Sequence, residues 1–114
     1  MHLPALIQIL SQWSAKKPLV QRAWIFGSRA RGEERSDSDI DIAIELDLTA
    51  TEVEDESGGS ATWMFETSTW QSELQAVLPY QVDLEQYMGT QTPIIAAALE
   101  RSSVLAYQKE EGLS

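Results

Sequence analysis

Residues 40–46 read Ile-Asp-Ile-Ala-Ile-Glu-Leu, and this strict alternation reads as a half-buried strand. Ile40, Ile42, Ile44 and Leu46 share one face, and Asp39, Asp41, Ala43 and Glu45 share the other. Asp39 and Asp41 therefore project side by side from a rigid element, roughly 6–7 Å apart at Cα from the ~3.3 Å rise per residue. Two carboxylates so placed can share a metal ion or bridge a pair of them. A second apolar run, Ala23-Trp24-Ile25-Phe26, ends in the turn Gly27-Ser28, and ten residues separate that turn from Asp39.

The interval between the strands concentrates the positive charge of the chain. Arg29, Arg31 and Arg35 are three of the eight Lys and Arg residues in the chain. A solvated loop would look like this, and so would a polyphosphate clamp, because guanidinium pairs bidentately with phosphate oxygens. Glu33, Glu34 and Asp37 read as loop polarity, and His2 as inert.

Around this unit the chain alternates helix and strand signals. Leu3, Leu6, Ile7, Leu10 and Trp13 give a helix over 3–14, with Pro4 in its first turn and Lys16-Lys17-Pro18 at its end. The first strand spans Val20 to Phe26, and Ser28 is expected to cap a short helix over 29–33. The second strand is followed by an acidic, threonine-rich stretch, 47–60, which has no periodicity and reads as a mobile loop. A second long helix is expected over 61–78, with Trp63, Thr67, Trp70, Leu74, Val77 and Leu78 on one stripe and Pro79 as its stop. Gln81 to Tyr87 alternates as a third strand, with Asp83, Glu85 and Tyr87 on one side. Thr92-Pro93 starts a last helix, and Val104 to Tyr107 reads as a short strand or packed extension. The expectation is one α+β domain over 1–107, a small mixed sheet with helices packed on one face, and a disordered tail over 108–114.

Composition narrows the function classes. The 114 residues carry a formal net charge of −10, so a nucleic-acid partner is disfavoured, since nonspecific binding to phosphates needs Lys and Arg. The absence of cysteine excludes disulfides and thiolate metal sites. No apolar run approaches the ~20 residues of a membrane span, and no secretion leader is visible, so a cytoplasmic location is expected. The four tryptophans read as core or interface.

Gly27-Ser28, Ala30-Arg31-Gly32 and Ser38-Asp39-Ile40-Asp41, set between two strands, resemble the signature of the polymerase β-type nucleotidyltransferase superfamily. The flavour is that of its minimal nucleotidyltransferase branch, whose members are about this long and are typically encoded beside a HEPN-domain protein. The resemblance covers roughly Leu6 to Tyr107. It implies a prokaryotic chain that transfers NMP from ATP or another NTP, with Mg²⁺, two ions in the family, held by Asp39, Asp41 and a third acid. Asp83 matches the third place, with Glu85 as the alternative. Gly27 would let the backbone approach the triphosphate, Ser28 would donate to its β- and γ-phosphates, and Arg31 would pair with a phosphate. The implied acceptor is a tyrosine of the HEPN partner, so AMP transfer would silence a toxin and this chain would be the antitoxin, in a homo- or hetero-oligomer. A non-catalytic binding module and a small-molecule transferase of the aminoglycoside type are the alternatives. The latter carries an added helical domain for which this chain has no room.

Overall fold

A computed structural model describes residues 2–32, 39–50, 57 and 59–110. The calls made on Glu33, Glu34, Arg35 and Asp37, on most of the 47–60 loop, and on 111–114 lie outside the described residues. In chain order the elements are α1 (Leu3–Ala15), β1 (Val20–Phe26), α2 (Ser28–Arg31), β2 (Ile40–Leu46), α3 (Ser60–Val77), β3 (Val82–Gln86), α4 (Pro93–Arg101) and β4 (Ser103–Gln108). Single 3₁₀ turns at Leu48–Ala50 and Gly89–Gln91 follow β2 and β3. The strands form one mixed sheet in the order β3-β2-β1-β4. β1 pairs antiparallel with both β2 and β4, whereas β2 and β3 run parallel. The expected α+β architecture is therefore present, and of the two readings offered for the segment 104–107 the strand is the one that forms, as β4 at a sheet edge.

The core lies where the isoleucine face of β2 meets α1 and α3. Ile40, Ile42, Ile44, Ile25 and Ala23 from the strands pack against Leu6 and Leu10 of α1 and Trp70 and Leu74 of α3. Parallel pairing of β2 with β3 requires a crossover, and α3 supplies it. Three tryptophans lock the two long helices together. Trp70 meets Trp13 edge-on at 5.6 Å between ring centroids and Trp63 at 6.1 Å. The Trp13 indole N–H also donates to Glu73 at 3.0 Å, and Lys17 pairs with the same carboxylate at 2.6 Å. Val77, placed on the core stripe by periodicity, is 50% exposed, because the stripe runs through Trp70, Leu74 and Leu78. No helix among the described residues is long and apolar enough to cross a membrane.

Two expected loose segments are tied down where they are described. Asp47 accepts from the backbone N–H and hydroxyl of Thr49, and so caps the 3₁₀ turn after β2. Lys109, placed in the tail by its polar context, pairs with Asp47 at 2.6 Å and donates to the Pro18 carbonyl at 2.8 Å. Its backbone N–H continues the β4 ladder to Gln21. β4 thus ends at Gln108, and the ion pair and ladder bond of Lys109 follow it directly.

The Ser14 hydroxyl is buried in the α1 seam with no hydrogen-bond partner among the described residues. Desolvating an unpaired hydroxyl costs free energy, and alanine is the better helix former. Ser14→Ala is therefore expected to stabilise the protein by about 1 kcal/mol in urea unfolding, whereas Trp70→Ala should cost about 3–5 kcal/mol. A destabilised Ser14→Ala would mean the hydroxyl is satisfied.

Candidate active site

Gly27 leaves β1 with φ +74° and ψ −148°, a conformation open to glycine and strained for other residues. A side chain there would also collide with Asp41: the carboxyl carbon of Asp41 lies 3.3 Å from where a Cβ would stand. The turn is therefore pressed directly against the acid on β2, opposite Phe26 in the ladder. Gly27, not Ser28, caps α2, and Ser28 is the first helical residue. The positive φ reverses the chain from strand into helix in one step, which leaves no room for the expected capping serine. Ser28 stays half-buried beside the turn.

The parallel register sets Asp41 opposite Asp83 and Ala43 opposite Glu85. Neighbouring strands lie about 4.8 Å apart, so the carboxylates of one row are forced together. Burial, then the charge and hydrogen bond of Asp83, then the charges of Asp39 and Glu85, push the Asp41 carboxyl up from 3.8 to about 6. Burial and the neighbouring Asp83 also raise Glu85. Asp39 and Asp83 are exposed at the rim. Among the described residues no three acidic side chains converge on one point. The drawn-together unit is the Asp41–Asp83 pair, and Asp39 and Glu85 act on it through their charge. Hard carboxylate oxygens with excess negative charge suit Mg²⁺, and the space kept open by Gly27 leaves Asp41 free of a covering side chain.

Three interactions hold this row in place. The Gln71 amide of α3 donates to the Val82 carbonyl at 2.6 Å. Gln75 donates to the Tyr80 carbonyl at 2.7 Å and accepts from the Val82 N–H at 3.0 Å, so the start of β3 is clamped one residue before Asp83. Arg29 does the same for β2. It is 3% exposed, donates from Nε to the Asp39 carbonyl at 3.2 Å, and lies 3.6 Å over the Tyr80 ring. The basic loop reads as a phosphate clamp in sequence, yet Arg29 instead bolts the Gly-Ser turn to the two strand starts. Arg31 is exposed and donates to the Ser102 hydroxyl at 3.1 Å, where α4 meets β4.

On the same face, one step further from the turn, Trp24 and Tyr87 meet edge-on at 5.2 Å over β2, where Ala43 is fully buried. Arg22 makes two hydrogen bonds to Glu45, at 2.6 and 3.0 Å, and its guanidinium lies 5.5 Å from the Trp24 ring. The sequence marks Trp24 as the tryptophan to watch beyond a core or interface role, and places Tyr87 on the strand side of Asp83 and Glu85 without making it a site residue.

The family model described as polymerase beta, nucleotidyltransferase matches residues 8–111. No curated protein sequence matches this chain. Among solved structures, the chain is similar to a "crystal structure of the toxin-antitoxin with AMP-PNP", with a TM-score of 0.58 and 20% identity over 92% of this chain and 74% of that one.

Two outcomes test the geometry. Asp41 binds its proton up to about pH 6 when folded and up to 3.8 at its ordinary value, so between those values the folded chain holds more protons. The resulting stability is complete below the ordinary value and is lost as pH rises through about 6. Asp41→Asn cannot ionise, so it should melt higher than the wild type at neutral pH and show a flatter decline between pH 4 and 7. Parallel melting curves for the two proteins would mean the carboxylate is unstrained. Gly27→Ala should cost about 1–3 kcal/mol through backbone strain and the clash with Asp41, measured by chemical denaturation.

Proposed function

Because the chain belongs to the polymerase β nucleotidyltransferase family, we propose that it transfers AMP from ATP to a tyrosine hydroxyl of a HEPN-domain partner, and so acts as the antitoxin of a toxin–antitoxin pair. The observation that carries this reading is the Asp41–Asp83 pair beneath the Gly27 turn. Nucleotidyl transfer needs close backbone approach to a polyphosphate and oxygen ligands beside it, more than it needs a covalent intermediate. The solved structure of similar fold is a toxin–antitoxin with AMP-PNP, which supports both a nucleotide and a protein partner for this chain.

Each residue then has a task. Gly27 admits the triphosphate, Ser28 donates to its outer phosphates, and Arg31 neutralises one of them. Asp39, Asp41 and Asp83 would hold Mg²⁺, which supplies charge neutralisation at the phosphates when bound. The acceptor oxygen forms a bond to the α-phosphorus, and the bond from that phosphorus to the bridging oxygen breaks. Pyrophosphate leaves with the electron pair. The acceptor's proton passes to the Asp83 carboxylate, which stands at the exposed rim where an incoming hydroxyl arrives. The net charge of −10 favours a partner with a basic surface, since opposite potentials speed and orient association. Met64 and Phe65 on α3, 78% and 83% exposed, are apolar surface that a partner could cover, which also fits inhibition by binding alone.

The decisive experiment incubates the chain with the protein of the neighbouring gene, Mg²⁺ and each NTP in turn, and reads intact mass. The expected result is a gain of one or more AMP units on the partner. Asp39→Asn and Asp41→Asn should abolish the gain while the two proteins still co-elute. A complex with no mass gain under any NTP leaves the binding module as the function. Transfer to a small hydroxyl compound without any co-eluting partner favours the small-molecule transferase.

A further inference from the structure

The sheet face that carries the acids is ordered along the strands. Gly27 and Ser28 lie at one end, beside Asp41. Asp41 and Asp83 form the next row, and Trp24, Ala43 and Glu85 the row after that. Tyr87 leans in from the end of β3 to meet Trp24 at 5.2 Å, and Arg22 and Glu45 close the series. The aromatic pair therefore begins about 7 Å beyond the carboxylates, two residues along a strand, on the side away from the turn. Both rings are half-buried, so part of each remains open to a ligand. Next to them a cavity of about 200 Å³ opens between Glu45, Leu48, Gln86, Tyr87, Met88 and Gln91.

We infer that the Trp24–Tyr87 pair is the floor of the acceptor subsite and receives the aromatic ring of a tyrosine on the partner protein, with the adjoining cavity taking a neighbouring side chain of the same segment. The inference rests on the nucleotidyl-transfer reading above and adds where the acceptor sits. In-line displacement requires the attacking and leaving oxygens to stand on opposite sides of the α-phosphorus. Pyrophosphate departs at the Gly27–Ser28 end, so the hydroxyl must come from the Trp24–Tyr87 end, with its proton going to Asp83 and its oxygen forming the new bond to phosphorus. An aromatic floor selects for a phenolic acceptor over a serine or threonine. A planar ring packs on Trp and Tyr by offset or edge contact, and an aliphatic hydroxyl brings no ring to the contact. Ala43 pairs with Trp24 in the ladder and is fully buried on β2, between the strands that carry the two rings.

The test uses two small acceptors, N-acetyl-tyrosinamide and N-acetyl-serinamide, with ATP and Mg²⁺, and reads the AMP adduct by mass. The tyrosine compound should be the better acceptor. In Trp24→Ala its KM should rise about tenfold, the size of one lost aromatic contact, with nucleotide affinity retained and Trp24→Phe restoring most of the loss. Tyr87→Leu, which lies outside the strand, gives the same reading if Trp24→Ala fails to fold. A binding readout stands beside activity: with a non-hydrolysable ATP analogue bound, N-acetyl-tyrosinamide should shift the Trp24 indole N–H resonance, assigned by its loss in Trp24→Phe. Equal use of both acceptors, or an unchanged KM in Trp24→Ala and Tyr87→Leu, overturns the subsite while leaving nucleotidyl transfer intact. Absence of pyrophosphate release with either acceptor and with the neighbour-encoded protein overturns the underlying reading instead.

Discussion

The parallel pairing of β2 with β3 is the constraint on which the rest depends. It sets Asp41 opposite Asp83, and a slip of β3 by one residue would turn Asp83 toward the isoleucine core. A parallel pair cannot be joined by a tight turn, so the chain must spend a helix on the connection. That helix, α3, supplies the core tryptophan that locks α1 and the two glutamines that clamp the start of β3. Register, core and clamp are thus one device. The site is stiff because the element that makes the crossover also holds the strand it delivers.

The buried Arg29 gives its Nε–H to the Asp39 carbonyl and its face to Tyr80, which positions the start of the acid row. Asp41 remains strained, as its rise to about 6 records. A fold that needed only stability would have placed an asparagine there. Pairing two carboxylates across β2 and β3, with the charges of Asp39 and Glu85 acting on them, keeps Asp41 strained, and any cation that bound the pair would relieve that strain.

Most of the fold was legible because period and punctuation agreed. The alternation of 40–46, the Pro4 and Pro93 starts and the Pro79 stop each pointed to the element that forms. What misled were positions where a tertiary contact overrides local pattern. Val77 has the spacing of a core residue but the helix face turns away from it. Ser28 has the chemistry of a cap, but Asp41 crowds the turn so closely that only a glycine can occupy the cap position. Lys109 lies in a polar, apparently loose tail, and its partner Asp47 is 62 residues away, beyond the reach of any local rule. Arg29 and Arg31 carry the same charge in the same loop, and nothing in their spacing tells that one is buried under Tyr80 and the other exposed. The acids were the easier part, since a strand that alternates shows its face at once, and the pairing of Asp41 with Asp83 needed only the third strand to run parallel.

The face beyond the acids is built from the strands themselves. Ala43 is the small residue in the row of Trp24 and Glu85, and Trp24 and Tyr87 reach each other from the strands on either side of β2. Arg22 and Glu45 then brace the far side of Trp24 by ion pair and cation–π contact, so the ring is held by the sheet rather than by a loop. Precision of this kind comes cheaply on strands, where neighbouring side chains are already spaced and aimed, and is hard to obtain on loops. The described residues bring the Gly27 turn, the acids and a rigid aromatic pair onto one face of the sheet.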